Sequence, residues 1–442
     1  MDHAETRPAG PAPTSSEAWR ARRPWLIGFA ILLGIYVVQR AVFNDGDFDG
    51  FHRAAQYVLE TGELSVEKNV QRYLPTFQVF MVPLGLLPLR VAAALWLCFS
   101  LVSLWQLPRL TERLTGVTPR QQLPAWLIMA PIFVDNLILG QSGLVLLTLS
   151  IASLVWMREG RGVRGGLVLG LLGLFKILPL ALFAVPVLLG RSRSAVAGLL
   201  LAVVLGTGFC TALVGWEETR EAATFWATKT RAEQTPWALV ANNRSLRHNN
   251  QGLGVVLART FGDIKPAKAK NSVNITSFPL KVPWSLYGTL LAIAVALGLR
   301  TAWVVRRGVV GSDPGDVDVD GRADERHADR VWGGLCALVG LGMLFVSPIV
   351  WTHYFAWLFP ALVLIVHRRA IMLRGGWAFV LAFAVPQLRG LGLHMFAALA
   401  LYVFVAQALA RRTAPPPAAG SGAANGRDGT RGAGDAAPQA SP

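Results

Sequence analysis

Three carboxylates crowd the stretch Asn44-Asp45-Gly46-Asp47-Phe48-Asp49-Gly50-Phe51-His52. Phe48, Phe51, Ala55, Val58 and Leu59 follow at helical spacing, which predicts a short amphipathic helix in a membrane interface, with Asp47 at its start. Helix N-terminal N–H groups hold a carboxylate ionised. An ionised Asp there can accept a proton from a hydroxyl nucleophile, which contributes roughly 10²–10⁴-fold in rate. The same residue could serve only as a helix N-cap. Asp49 is the second choice of base.

Other residues stand out by type and place. Lys176 interrupts a long apolar run. A lysine at a bilayer centre costs roughly 2.5–3.5 kcal/mol, so it calls for an anionic partner such as a lipid phosphate, or for snorkelling to the headgroups. Gly140-Gln141 separates two short apolar stretches. Its amide could bond a hydroxyl, or the break could serve helix packing alone. Ser347-Pro348 precedes Trp351, His353 and Tyr354 in a second break of this kind. The imidazole could bond a phosphate or share a proton with a base, while the aromatics also fit an interfacial belt. Asn242, Asn243, Arg244, Arg247, His248, Asn249, Asn250 and Gln251 form a dense donor cluster, suited to phosphate and hydroxyl groups or to a solvated loop.

The elements that must position these groups follow from composition. Of 442 residues, 53% are apolar and 15% charged, the mean hydropathy is +0.44, and there are fifteen Trp. Soluble domains carry roughly 25% charged residues. A soluble enzyme, a disordered chain and a fibre are excluded, and a polytopic membrane protein is indicated. The net charge of +16 does not require nucleic acid, because cytoplasmic loops of membrane proteins are rich in Lys and Arg. Cys98, Cys210 and Cys336 lie in apolar runs, with no zinc or disulfide spacing, and read as core residues. No cleavable signal is evident, because the first apolar run is too long for an h-region and lacks a small-residue cleavage site after it.

Arg20, Arg22 and Arg23 precede the first span, Pro24–Phe43, and place the N-terminus inside. Further apolar segments lie near 89–108, 124–138, 142–157, 165–176, 177–190, 194–214, 283–303, 331–349, 353–367, 375–389 and 390–410. Several are shorter than ~17 residues and read as tilted, short or broken helices. Residues 73–88 are apolar but hold three prolines. Kept on the outer face as a shallow element, they put more than half of the Lys and Arg inside. The reverse reading puts Arg158, Arg161, Arg164, Arg191, Arg193, Arg368 and Arg369 outside.

The expected fold is therefore an all-α polytopic membrane protein of about twelve spans, with both termini inside. Its large outer loops are 44–88 and 215–282, and its inner loop 304–330 is Asp-rich. Within that inner loop, Asp316, Asp318, Asp320 and Gly321 imitate a calcium loop, but the twelfth position is His327 and the stretch reads as a solvated linker. The sequence divides into a cytoplasmic segment 1–23, a transmembrane domain 24–410 and a disordered tail 411–442. No internal repeat is visible.

Several stretches together resemble glycosyltransferase family 87, of the GT-C superfamily. They are DFDGFHRAAQYVLETG, YLPTFQVFMVPLGLLP, ALWLCFS, LILGQSGLVLLTL (137–149), GLVLGLLGLFKILPLALFAVPVLL (166–189), NNQGLGVVLAR (249–259) and SPIVWTHYFAWLFPAL (347–362), in that order. The chain departs from the family pattern at Leu74-Pro75, where two prolines are usual. It departs again at Gly252, in place of Ser, and at His52, where an aromatic is common.

The resemblance implies a GT-C-like bundle that moves a hexose, mannose first, from a polyprenyl-phosphate carrier to a glycan or glycolipid acceptor with inversion. It implies a bacterial plasma-membrane enzyme with its site on the outer face, membrane lipid as its surroundings and no nucleic-acid partner. Asp47 would be the base. Asp49 would orient sugar or acceptor. Lys176, Arg244, Arg247 and His353 would steady the phosphate, and His52, Tyr73, Gln141, Asn250, Gln251 and Tyr354 would complete the substrate-binding set. Phosphate is already a good leaving group, so neither metal nor other cofactor is called for. A pentose such as arabinofuranose is the alternative sugar, and a lipid flippase or transporter the alternative class.

Overall fold

A computed structural model describes residues 31–43, 46–65, 73–233, 248–263, 274–311, 322–347, 349–365, 388–389 and 391–413. Arg244, Arg247, Asp45, the 316–320 acid run, most of the expected span 375–389, the segment 1–23 and the tail beyond 413 lie outside them. The described residues are helical, with no strand among them. The helices are α1 (31–43), α2 (Asp47–Thr61), α3 (Pro75–Gly85), α4 (Leu89–Thr115), α5 (Leu123–Ile138), α6 (Gly143–Arg158), α7 (Gly162–Phe175), α8 (Ala184–Leu188), α9 (Arg193–Val214), α10 (Trp216–Glu233), α11 (Leu253–Phe261), α12 (Lys281–Gly311), α13 (Arg322–Val346), α14 (Phe359–Ile365) and α15 (Leu393–Thr413). Tight 3-10 turns cover Leu178–Phe183 and Thr352–Leu358.

Among the described residues, four helices are long and apolar enough to cross a bilayer: Leu89–Thr115, Arg193–Val214, Lys281–Arg307 and Leu393–Arg411. The pair α5 and α6, bent by 116° at its break, makes a fifth if taken as one broken span. Large apolar side chains line the outside of these helices, including Leu95, Phe99, Val102 and Trp105 on α4 and Leu200, Val203 and Val204 on α9. Water-facing helices carry polar residues there, so this surface is made for lipid. Cys98 shares the outward face of α4, whereas Cys210 and Cys336 are buried as expected.

The helix expected after Gly46 forms as α2. It buries Phe48, Phe51, Ala54, Ala55 and Val58, and ends at Gly62 with φ 72°. Leu59, expected on the same face, is exposed. The apolar stripe packs on α3 and α4: Phe51 meets Tyr73 and Phe77 edge-on at 4.9 and 5.0 Å, and Phe48 stacks on Trp96 at 5.8 Å. Each such aromatic pair adds ~0.5–1.5 kcal/mol beyond burial. α3 has eleven residues, too few for a span, and its end at Gly85 precedes the last of the three prolines, Pro88.

The α5–α6 break is built around α2. Gly140 has φ +62°, and a Cβ there would stand 2.6 Å from the Phe48 Cβ. Two carbonyls at the break find donors. Leu139 O accepts from the Asp47 backbone N–H at 2.9 Å, and Gly140 O from the Trp96 indole at 2.9 Å. A break in an apolar region persists only when such groups are satisfied.

α7 and α9 pack backbone to backbone. Cβ atoms added at Gly166 and Gly198 would collide with the carbonyls of Ala195 and Val163, so only glycine permits the approach. α7 stops where Lys176 turns extended, with φ −149° and ψ 123°. Its last carbonyls are taken by the first loop: Leu74 N–H donates to Phe175 O at 3.2 Å and the Thr76 hydroxyl to Leu174 O. Leu74-Pro75-Thr76 thus caps the helix that carries Lys176.

Candidate active site

Asp47 occupies the first turn of α2, not its cap. Gly46 is the cap residue, and no side chain caps the helix. The Asp47 carboxylate instead accepts at Oδ2 from the Gln141 side-chain amide, across the α5–α6 break. Gln141 Oε1 accepts from the Tyr73 hydroxyl at 3.3 Å, and that hydroxyl lies 3.2 Å from Ser142 Oγ. Lys176 Nζ stands over the Tyr73 ring at 4.9 Å and over the Tyr354 ring at 3.9 Å. Tyr354 packs edge-on against His353 at 4.8 Å. One run of contacts therefore joins Asp47, Gln141, Tyr73, Lys176, Tyr354 and His353, from five separate parts of the chain.

Tyr73 and His353 are held from behind. Tyr73 stacks on Phe77 at 4.2 Å. The His353 carbonyl accepts from Asn136 Nδ2 at 3.1 Å, one turn before the break. The Tyr73 phenol is pushed up by burial, against the opposing pull of Lys176. From an ordinary value near 10, a raised phenol stays a hydrogen-bond donor at neutral pH. The Gln141 amide is thereby oriented, with oxygen toward Tyr73 and nitrogen toward Asp47. Lys176 faces two electron-rich rings, which attract an ammonium by ~0.5–2 kcal/mol without neutralising it. The cluster links a carboxylate to the Tyr73 hydroxyl through Gln141 and sets a cation over the Tyr73 ring, a layout suited to proton acceptance at the carboxylate and anion binding at the cation.

The other expected site residues among the described ones have partners of their own. Asp49 pairs with Arg53 at 2.8 Å, one turn along α2. His52 is buried, with Nε2 2.8 Å from Leu87 O, and ties α2 to the α3–α4 turn. Asn250 and Gln251 are buried and clasp the segment that leads to His353. Asn250 Oδ1 accepts from Val350 N–H at 3.0 Å, and Gln251 N–H donates to Val350 O at 2.6 Å. Gln251 Nε2 donates to Arg389 O at 2.7 Å. Arg259 backs this clasp, donating to Asn250 O at 2.9 Å and Arg389 O at 3.3 Å. Burial pushes its guanidinium down to about 10, still cationic at neutral pH.

Sequence reasoning passed over Asn136, Ser142, Arg259 and Asp135. Asp135 interacts electrostatically with both Arg389 and Asp47. As a lone carboxylate in an apolar run it carries the same signal that singled out Lys176.

A lipid-faced helical protein whose ionisable groups gather at broken helix ends is a membrane protein built for chemistry on polar groups beside the bilayer. The chain belongs to glycosyltransferase family 87, whose model matches residues 72–315. It is 24% identical over 355 residues to the polyprenol-phosphate-mannose-dependent alpha-(1-2)-phosphatidylinositol pentamannoside mannosyltransferase of Mycolicibacterium smegmatis, across 76% of this chain and 74% of the relative. No solved structure matches it.

Proposed function

We propose that this glycosyltransferase moves mannose from a polyprenyl-phosphate carrier to a glycan or glycolipid acceptor on the outer face of the membrane. The run of contacts from Asp47 through Gln141 and Tyr73 to Lys176 carries the reading. The name of the mycobacterial relative supports the donor and the glycolipid acceptor.

In this mechanism the acceptor hydroxyl attacks the anomeric carbon. Its proton passes to Asp47, whose Oδ2 is held by Gln141 and whose Oδ1 receives the proton. The bond from the anomeric carbon to the phosphate oxygen breaks, and the electron pair leaves with the polyprenyl phosphate. Attack opposite the departing bond inverts the anomeric centre. Lys176 stabilises the charge developing on the phosphate, as positioned cations do for leaving groups. His353 and Tyr354 stand beside it. Arg244 and Arg247, outside the described residues, are assigned to the same phosphate on charge alone. His52, Asn250 and Gln251 are assigned the task of positioning, and Asp49 that of orienting the acceptor.

The test is transfer by the purified chain in liposomes, with labelled polyprenyl-phosphate mannose and a mannosylated phosphatidylinositol acceptor. Mannose incorporation without an ion gradient is the expected result. Transfer from polyprenyl-phosphate arabinofuranose alone would replace the sugar. Lipid translocation without transfer would replace the class of activity.

A further inference from the structure

A cavity of about 200 Å³, with Tyr73 in its lining, lies between α3, the Leu64–Ser65 turn and α10. Tyr73, Gln78, Glu218, Glu221, Trp226 and Lys229 contribute to its lining. We propose that this cavity seats one neutral sugar residue of the acceptor, so that Tyr73 is the wall shared by acceptor and donor sites. The proposal rests on the glycosyl-transfer reading above.

The walls are fixed before any ligand arrives. Gln78 grips the Ser65 backbone twice, accepting from its N–H at 2.7 Å and donating to its carbonyl at 2.9 Å. Glu218 Oε1 accepts from Leu64 N–H at 2.9 Å and pins α10 to the same turn. The volume is below the ~300–1,000 Å³ of drug-sized pockets, which suits a single ring.

The lining selects the chemistry. Two carboxylates against one ammonium disfavour a second phosphate. Charged walls disfavour an isoprenoid tail. Sugar hydroxyls can donate to Glu221, and their oxygens can accept from the Trp226 indole N–H. That N–H is enclosed and has no hydrogen-bond partner among the described residues. The indole offers an apolar face for the C–H side of a sugar ring, while Lys229 Nζ stands over the Phe225 ring at 5.2 Å. The division follows directly: cation and rings at Lys176 for the anionic donor, carboxylates and indole at α10 for the neutral acceptor.

The test uses the full chain in nanodiscs with Trp226→Phe and Glu221→Gln, each leaving the Asp47 cluster intact. Saturation-transfer NMR with methyl α-mannoside, without donor, reads binding directly. Steady-state transfer reads acceptor KM and donor KM separately. Each variant should raise acceptor KM by about tenfold, leave donor KM within about twofold, and weaken the mannoside signal. Unchanged acceptor KM and signal in both variants would overturn the subsite. So would a Trp226-dependent response to inorganic phosphate in place of the mannoside. A Trp226-dependent mannoside signal in a protein that transfers no sugar would leave the subsite standing and remove the transferase reading instead.

Discussion

The Gln141 side-chain amide donates to Asp47 Oδ2 while its own oxygen accepts from the Tyr73 hydroxyl at 3.3 Å. A single amide thus holds the carboxylate on α2 and faces a ring that contacts Lys176. Its orientation is dictated by the carboxylate, which only accepts, so the amide nitrogen faces Asp47 and its oxygen takes the Tyr73 O–H.

Gln141→Met keeps length and bulk but removes that link. Loss of a hydrogen bond to a charged group is worth ~1.5–3 kcal/mol, so kcat should fall roughly tenfold or more with donor KM little changed. Steady-state transfer assays across donor concentration check the split.

Lys176→Met should act on the other substrate parameter. If Lys176 is removed, the proposed phosphate contact goes with it, which should raise donor KM about ten- to a hundredfold and lower kcat as well. Lys176→Arg should recover part of the donor affinity, since a guanidinium keeps the charge and stacks on Tyr73 and Tyr354 but has a different shape. Equal donor KM in wild type and Lys176→Met would separate the lysine from the phosphate.

Tyr73 gives a pH signature. Burial raises its phenol, so the folded protein holds that proton to higher pH than the unfolded chain does. The resulting stability is whole below about 10 and is lost as pH climbs through the raised folded value. Thermal midpoints of wild type should be flat through neutral pH and fall above about 10. Tyr73→Phe, which keeps the stack on Phe77, should show a smaller alkaline fall and a lower kcat at neutral pH.

His52→Phe tests the division between chemistry and scaffold. The variant leaves Leu87 O without its partner in a buried place, a loss of ~1–3 kcal/mol. The thermal midpoint should drop by several degrees while both KM values stay near wild type. A specific rise in either KM would return His52 to the substrate-binding set.

Much of this was legible because the signals were local. Gly46, the two Asp and the apolar spacing announce α2 within a dozen residues, and Lys176 is conspicuous as a charge in an apolar run. That Asp47 is bonded by Gln141 and not acting as a cap was not legible. It depends on Gly140 admitting Phe48, a contact between distant parts of the chain. His52, Asn250 and Gln251 read equally well as ligand-binding groups, since their partners are backbone atoms of Leu87, Val350 and Arg389, which carry no side-chain signature. The short and broken helices blur the count of spans for the same reason: hydropathy measures length, and the bend between α5 and α6 is set by packing.

The most direct measurement compares wild type with Asp47→Asn in liposomes, using labelled polyprenyl-phosphate mannose and a mannosylated lipid acceptor, with folding checked by the thermal midpoint. Transfer should fall by about a hundredfold or more in a protein that still folds and still binds donor. Transfer within about twofold of wild type would remove Asp47 from the reaction and overturn its role as the base.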